Sequence, residues 1–390
     1  MSIPLHLFLD NKPLYYKEID HKCVHIAYDL LKPHIQRPRT VHIVGTNGKG
    51  STGRMVAHLA YLQGIRQEKL GMRKYSVGHY TSPHILKFNE RIWIDGDDAS
   101  DEMLEKAHQR LFSILGQEMS ELLSYFEYTT LLAFVVFEKC DLMVLEAGLG
   151  GEFDATNVCD KELSIVTPIG LDHQSFLGET IEEIASTKIR SIQKKALLAP
   201  QVYDEVVVVA KKIANEVGAV LRQAQEPKNN KVAELAEAKG WGDYLIDNAN
   251  VALQALDILN INYDINDLKS LELFGRFYAL RENIRIDVGH NPLAARAIVK
   301  ALDEKVVLIY NSLDDKDYET VLRILKPKVK RVEIISIKSQ RATTTHEIEK
   351  ALETVELEYR HFQNKIDDNE TYLVFGSFYV VEEFLKQRNM

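Results

Sequence analysis

The stretch VHIVGTNGKGST, Val41 to Thr52, runs from an apolar segment through a glycine-rich turn into a helical pattern. Val41–Val44 reads as a buried strand. STGRMVAHLAYLQG then places Met55, Val56, Leu59 and Leu62 on one face and predicts a helix with Gly64 as its stop. Three chemistries compete for the turn. The strict phosphate-loop pattern GxxxxGK[ST] fails, because Ile43 stands where the first glycine belongs and Gly50 where Ser or Thr should follow Lys49. The dinucleotide pattern GxGxxG is met by Gly48, Gly50 and Gly53. It also wants an acid about twenty residues on, at a strand end, and Glu68 at that distance lies in polar QEKLGMRK. A plain structural turn leaves Lys49 and Ser51 unexplained. A variant phosphate loop accounts for both: glycines turn N–H groups toward one point, the helix adds its positive end, Lys49 reaches outer phosphates, and Ser51 offers a hydroxyl to a magnesium ion.

The rest of the chain narrows the setting. At 390 residues it exceeds one ordinary core, so two domains are expected. Its net charge of -9 argues against general nucleic-acid binding, while leaving room for an anionic small substrate in a locally basic pocket. Cys23, Cys140 and Cys159 are odd in number and widely spaced, which fits a reducing cytoplasm and neither a disulfide framework nor a CxxC metal site. MSIPLHLFLDNKPLYYKE lacks a basic n-region, so no signal peptide is expected, and no apolar run reaches membrane-spanning length.

Short apolar runs alternating with helical patterns indicate α/β architecture. LMVLE, SIVTPI and KALLAPQ read as strands and EVVVVAKKIANEVG as a helix. Polar RQAQEPKNNK interrupts the pattern, and NANVALQALDIL resumes it as a helix. A second α/β series follows, with strands in NIRIDV, VVLIY, VEIISI and TYLVF and a helix in PLAARAIVKAL. The boundary falls near Leu271–Arg276, giving residues 1–272 as a large α/β domain with a mainly parallel sheet and 273–390 as a smaller α/β domain.

GTNGKGST resembles the loop of folylpolyglutamate synthases and the wider Mur-ligase superfamily. HYTSPHILKFNERI, SYFEYTTLLAF, VLEAGLGGEFDATN, TPIGLDHQSFLGETIEEIASTK, FGRF, IDVGHNP, DDKD and VFGSFY follow in family order and cover nearly the whole chain. The resemblance implies a P-loop-type domain of Mur-ligase kind followed by a Rossmann-like C-terminal domain of the same superfamily. It implies that Thr46, Asn47, Gly48, Lys49, Gly50 and Ser51 hold ATP, and that Arg276 and Asp287 reach ATP from the second domain, with His290 lining the cleft. Asn248 matches an asparagine that meets the nucleotide, although the HQ upstream in the family is Tyr244-Leu245 here.

Glu146, at the end of LMVLE, is by its position either a metal acid or a salt-bridge partner. The resemblance makes Glu146, Ser51, Ser82 and His173 magnesium ligands, with two ions as the expectation. It also makes Lys188 a carbamylated lysine that supports the second ion. Thr187 and Arg190 depart from the family's EIA-x-E-K-A-G-I, and the competing reading of Lys188 is an ordinary helix-surface lysine. Glu152 replaces the arginine of GGRLDATN. Ser124, Tyr125, Phe126 and Glu127, together with Phe153, Asp154 and Ala155, match two pterin-contact segments. Phe126 could stack on a flat ring or simply pack in a helix core. Asp20 and His21, before the loop, are further pterin candidates.

The activity so implied is ATP-dependent ligation of L-glutamate to dihydropteroate and to tetrahydrofolate through an acyl phosphate, in the cytoplasm, by a monomer without nucleic-acid or membrane partners. Lys49, Lys188 and His173 are its expected catalytic residues. The competing readings are a folylpolyglutamate synthase alone or another Mur-type ligase. A dehydrogenase lacks its strand-end acid, and a nucleotide-binding regulator would not need the second domain's motifs.

Overall fold

The computed structural model describes residues 3–13, 21–227 and 230–389. The chain forms two sheets. The first contains β1 (Arg39–Val44), β2 (Val77–Tyr80), β3 (Ile92–Ile94), β4 (Asp97–Asp98), β5 (Leu142–Glu146), β6 (Leu163–Val166), β7 (Lys195–Leu198) and β8 (Val220–Gln223) in the order β4-β3-β2-β5-β1-β6-β7-β8. From β2 to β8 every pairing is parallel, and β3 and β4 add an antiparallel margin. The central strands β1 and β5 are almost wholly buried, as apolar runs covered on both faces require. Their register pairs Ile43 with Glu146, so the loops leaving both strands emerge at the same sheet edge. That edge is where an open parallel sheet places its ligand.

The helix after β1 runs Lys49–Lys69, beyond the expected stop at Gly64. A β-carbon at Gly64 would run into the carbonyl oxygen of Tyr75. This glycine serves close approach inside a helix, a requirement set by a neighbour outside the local pattern. Met55, Val56 and Leu59 are fully buried, and Leu62 is partly so. Glu68 lies in the last turn of this helix and far from any strand end in sequence.

The second sheet contains β9 (Tyr278–Arg281), β10 (Ile284–Ile286), β11 (Val306–Tyr310), β12 (Val329–Ile334), β13 (Tyr359–His361) and β14 (Tyr372–Phe375) in the order β13-β12-β11-β14-β10-β9. All are parallel except the edge strand β9. Its core gathers Ile298, Leu308, Leu322, Leu325, Ile348, Leu352, Leu373 and Phe375.

The chain divides into two compact units, and the division is not a single cut. The first comprises Met1–Ile169, Thr180–Lys228 and Asn248–Lys269; the second comprises Gly170–Glu179, Asn229–Asp247 and Ser270–Met390. The segment GLDHQSFLGE therefore groups with the second sheet, and the helix Asp243–Leu259 contributes its start to one unit and its remainder to the other. No helix among the described residues is long and apolar enough to cross a membrane.

Candidate active site

In the first unit, Gly48 takes a left-handed conformation (φ 83°) as the N-cap of the helix Lys49–Lys69. The first intrahelical bond runs from Thr52 N to Gly48 O at 2.9 Å, so the N–H groups of Lys49, Gly50 and Ser51 form the helix's N-terminal opening. Thr46 N and Asn47 N donate to the Pro168 carbonyl at 2.9 and 3.1 Å, which pins the loop against the segment after β6. A β-carbon at Gly48 would meet Asn248 Oδ1 at 2.7 Å. Glycine here satisfies both the dihedral angle and the approach of a second helix.

Lys49 bonds the Thr46 carbonyl at 3.3 Å, and its Nζ stands 3.9 Å from Glu146 Oε1. The Glu146 carboxylate is buried, and its other oxygen accepts from the Thr81 hydroxyl and, at 3.3 Å, from Ser82 N. Ser82 precedes a cis peptide to Pro83. Ser51 is buried, donates to Gly48 O at 3.2 Å and accepts from Asn248 Nδ2 at 2.9 Å. One lone pair of its hydroxyl remains for a hard cation. Lys188, only 4% exposed, donates to the Gly45 carbonyl at 3.0 Å. It is thus no surface lysine: the first unit brings Thr46–Ser51, Lys49, Glu146, Ser82, Asn248 and Lys188 to one sheet edge.

The expected substrate segments flank that edge. Ser124 and Glu127 form a reciprocal helix cap, with Ser124 N on Glu127 Oε2 at 2.8 Å and Glu127 N on Ser124 Oγ at 3.2 Å. Phe126 lies 5.8 Å from the Tyr80 ring and across Gly148, where a β-carbon would meet it at 2.7 Å. Tyr125 is buried beneath the Arg91 guanidinium. Asp154 closes its own loop: its carboxylate accepts from Leu149 N and Thr156 N, both at 2.9 Å, and from the Thr156 hydroxyl. Burial pushes its carboxyl up, against these donors. Ala155 is buried and begins the turn Ala155–Val158, while Phe153 is 55% exposed. Two of the departures from the family pattern meet each other, Arg190 Nη1 standing 3.4 Å from Glu152 Oε2. Asp20 lies outside the described residues. His21 opens the helix His21–Leu31, and its side chain lies outside them also.

The second unit holds a separate constellation. His173, in left-handed conformation (φ 52°), stands with its Nε2 3.4 Å from Lys316 Nζ. Lys316 is buried and pairs with Asp172 at 2.7 Å. His290 Nε2 lies 3.5 Å from Asp172, and Asn291 donates to it at 3.2 Å. Burial alone would raise the Asp172 carboxyl, but the hydrogen bond and charge of His290, with His173 and Lys316, hold it well below the usual range. Asp287 is buried among Tyr244, Phe277 N and Gly289 N, and Arg276 stacks over Phe378 at 5.2 Å. Sequence reasoning missed Thr81, Asp172, Lys316 and Tyr244. Lys316 lies in DDKD and Asp172 in GLDH, so the signal was position within motifs already noted.

A curated Haemophilus influenzae protein, dihydrofolate synthase/folylpolyglutamate synthase, is 30% identical over 93% of this chain and 91% of its own length. The chain belongs to the dihydrofolate synthase/folylpolyglutamate synthase family. A crystal structure of Helicobacter pylori folylpolyglutamate synthetase is 39% identical, with a TM-score of 0.77 over 99% of this chain and 98% of that one. A bifunctional folylpolyglutamate synthase/dihydrofolate synthase with Mn, AMPPNP and L-glutamate bound is 25% identical, with a TM-score of 0.81 over 100% and 99%. No family model matches the chain. Family membership fits the α/β fold with its large, mainly parallel sheet and its second sheet.

Proposed function

We propose that this chain is an ATP-dependent amide ligase that adds L-glutamate to dihydropteroate, giving dihydrofolate, and to tetrahydrofolate, extending it as a polyglutamate. The carrying observation is the grouping of Lys49, Glu146, Thr81, Ser82 and Ser51 at the paired ends of β1 and β5. A substrate carboxylate attacks the γ-phosphorus, the bond to ADP breaks, and an acyl phosphate forms. The amine of glutamate then attacks the acyl carbon and phosphate leaves, carrying off the electron pair of the C–O bond. Lys49 and the N–H groups of Lys49, Gly50 and Ser51 offset charge on the transferring group, which is positioning and electrostatics more than covalent chemistry.

Ser51, Ser82 and Glu146 are the residues we assign to magnesium, with His173 as a further ligand and two ions in all. These residues would hold the ions, which when bound would supply charge neutralisation. Lys188, buried beside the loop, is our candidate for the carbamate. Thr46 to Ser51, Asn248, Arg276, Asp287 and His290 are assigned to ATP. Phe126 and Phe153 are assigned to the pterin ring, with Ser124, Tyr125, Glu127, Asp154 and Ala155 shaping the pocket around them. Residues 1–272 form the proposed ATP-binding domain and 273–390 the proposed C-terminal domain of a cytoplasmic monomer.

The test is product mass after incubation with ATP, magnesium, glutamate and either folate substrate. A one-glutamate gain on both substrates is expected. Gain on tetrahydrofolate alone would make it a folylpolyglutamate synthase, the activity named for the H. pylori relative. Gain on neither, with ATP intact, would remove the proposal.

A further inference from the structure

Tyr244 stands where the family pattern has a different side chain, and its sequence position gives it no evident task. The structure supplies one. Its hydroxyl donates to Asp287 Oδ2 at 3.0 Å, and Phe277 N donates to the same oxygen at 2.8 Å. Gly289 N donates to Oδ1 at 2.7 Å, and a β-carbon at Gly289 would stand 2.9 Å from that oxygen. Each carboxylate oxygen offers two lone-pair sites. Oδ2 is therefore saturated, and Oδ1 keeps one site for a ligand. We propose that Tyr244 is a positioning residue for the nucleotide: it holds Asp287 by one oxygen so that the other is presented to ATP.

The proposal rests on the reading that Asp287 contacts ATP. The surrounding charges are compatible with it. Burial raises the Asp287 carboxyl, while the charge of Arg276 and the donors Gly289 N, Tyr244 and Phe277 N draw it down. Arg285, lying over the Phe277 ring at 4.6 Å, is the other cation near the pair. Burial, with the Asp287 charge, lifts the Tyr244 phenol well above its ordinary value, so it stays a donor throughout any assay range.

The experiment compares Tyr244→Phe, Asp287→Asn and the double variant in the full-length protein, well below their melting temperatures. Steady-state rates are taken with ATP and glutamate varied separately across pH. Tyr244→Phe should raise KM for ATP about tenfold, the scale of one hydrogen bond to a charged group, and leave KM for glutamate unchanged. With one donor gone, the acid limb of kcat/KM for ATP should move to higher pH. The double variant should be no worse than Asp287→Asn alone. An unchanged Tyr244→Phe beside an impaired Asp287→Asn would overturn the role of Tyr244. Additive losses would overturn it too, because the hydroxyl would then act elsewhere. A normal Asp287→Asn would instead overturn the nucleotide assignment of Asp287 itself.

Discussion

The glycine loop of the first unit is shaped mostly by main chain, and the Asp172 and Asp287 clusters of the second unit mostly by side chains. Around Gly48 the working groups are N–H donors at a helix start, carbonyls of Gly45 and Thr46, and glycines where a β-carbon would collide. Around Asp172 and Asp287 they are carboxylates, a buried lysine, histidines and a tyrosine hydroxyl. The difference teaches that a backbone-built site tolerates little change in dihedral angle or volume. A side-chain-built site is held by charge compensation and depends on each partner.

Lys49→Ala probes the first region's main movable charge. Ligation should fall by roughly a thousandfold or more, the scale for losing a group aimed at transition-state charge, with little change in melting temperature. Substantial residual product by mass would remove Lys49 from the phosphate site. Lys316→Met probes the second region. It strips Asp172 of its nearest cation inside the fold, at a cost of roughly 3 kcal/mol. Adding Asp172→Asn should recover much of that loss in denaturant melts. If Lys316→Met melts like the parent, the second region is not held by charge compensation.

Gly64→Ala sharpens the main-chain side of the contrast. In an exposed helix interior such a change gains up to about 1 kcal/mol. Here the methyl meets the Tyr75 carbonyl, so a loss of about 2 kcal/mol is expected in thermal unfolding, on the scale of overpacking. A gain would show that the two segments can move apart at no cost. The smallest effect belongs to Glu152 and Arg190, a half-exposed pair. Glu152→Arg and Arg190→Glu should each destabilise slightly and the double exchange restore the parent. The coupling should stay below about 1 kcal/mol, and a larger value would make this pair the equal of the buried ones.

The sequence made the strands legible where they were apolar runs between polar turns, as in β1, β5, β6, β11 and β14. It did not show β2, VGHY, whose buried histidine and glycine break any apolar pattern, nor the short β3 and β4. The loop, Glu146 and the glycine motifs were legible because main-chain geometry constrains local sequence. Tyr244, Asp172, Lys316 and Thr81 were not, because each is defined by a partner distant in the chain. Gly64 failed for the same reason: its neighbour is Tyr75, and no local rule anticipates it.

Asp154 satisfies its own loop so completely that the loop's shape does not depend on the residues at its tip. Glu152 and Phe153 sit on that staple, the first partly buried and the second about half-exposed. Both tip side chains can therefore be exchanged while the Asp154 staple keeps its donors. With Phe153 on the pterin ring as proposed, a change of side chain at the tip would alter the grip on substrate while the staple that carries it stays as it is.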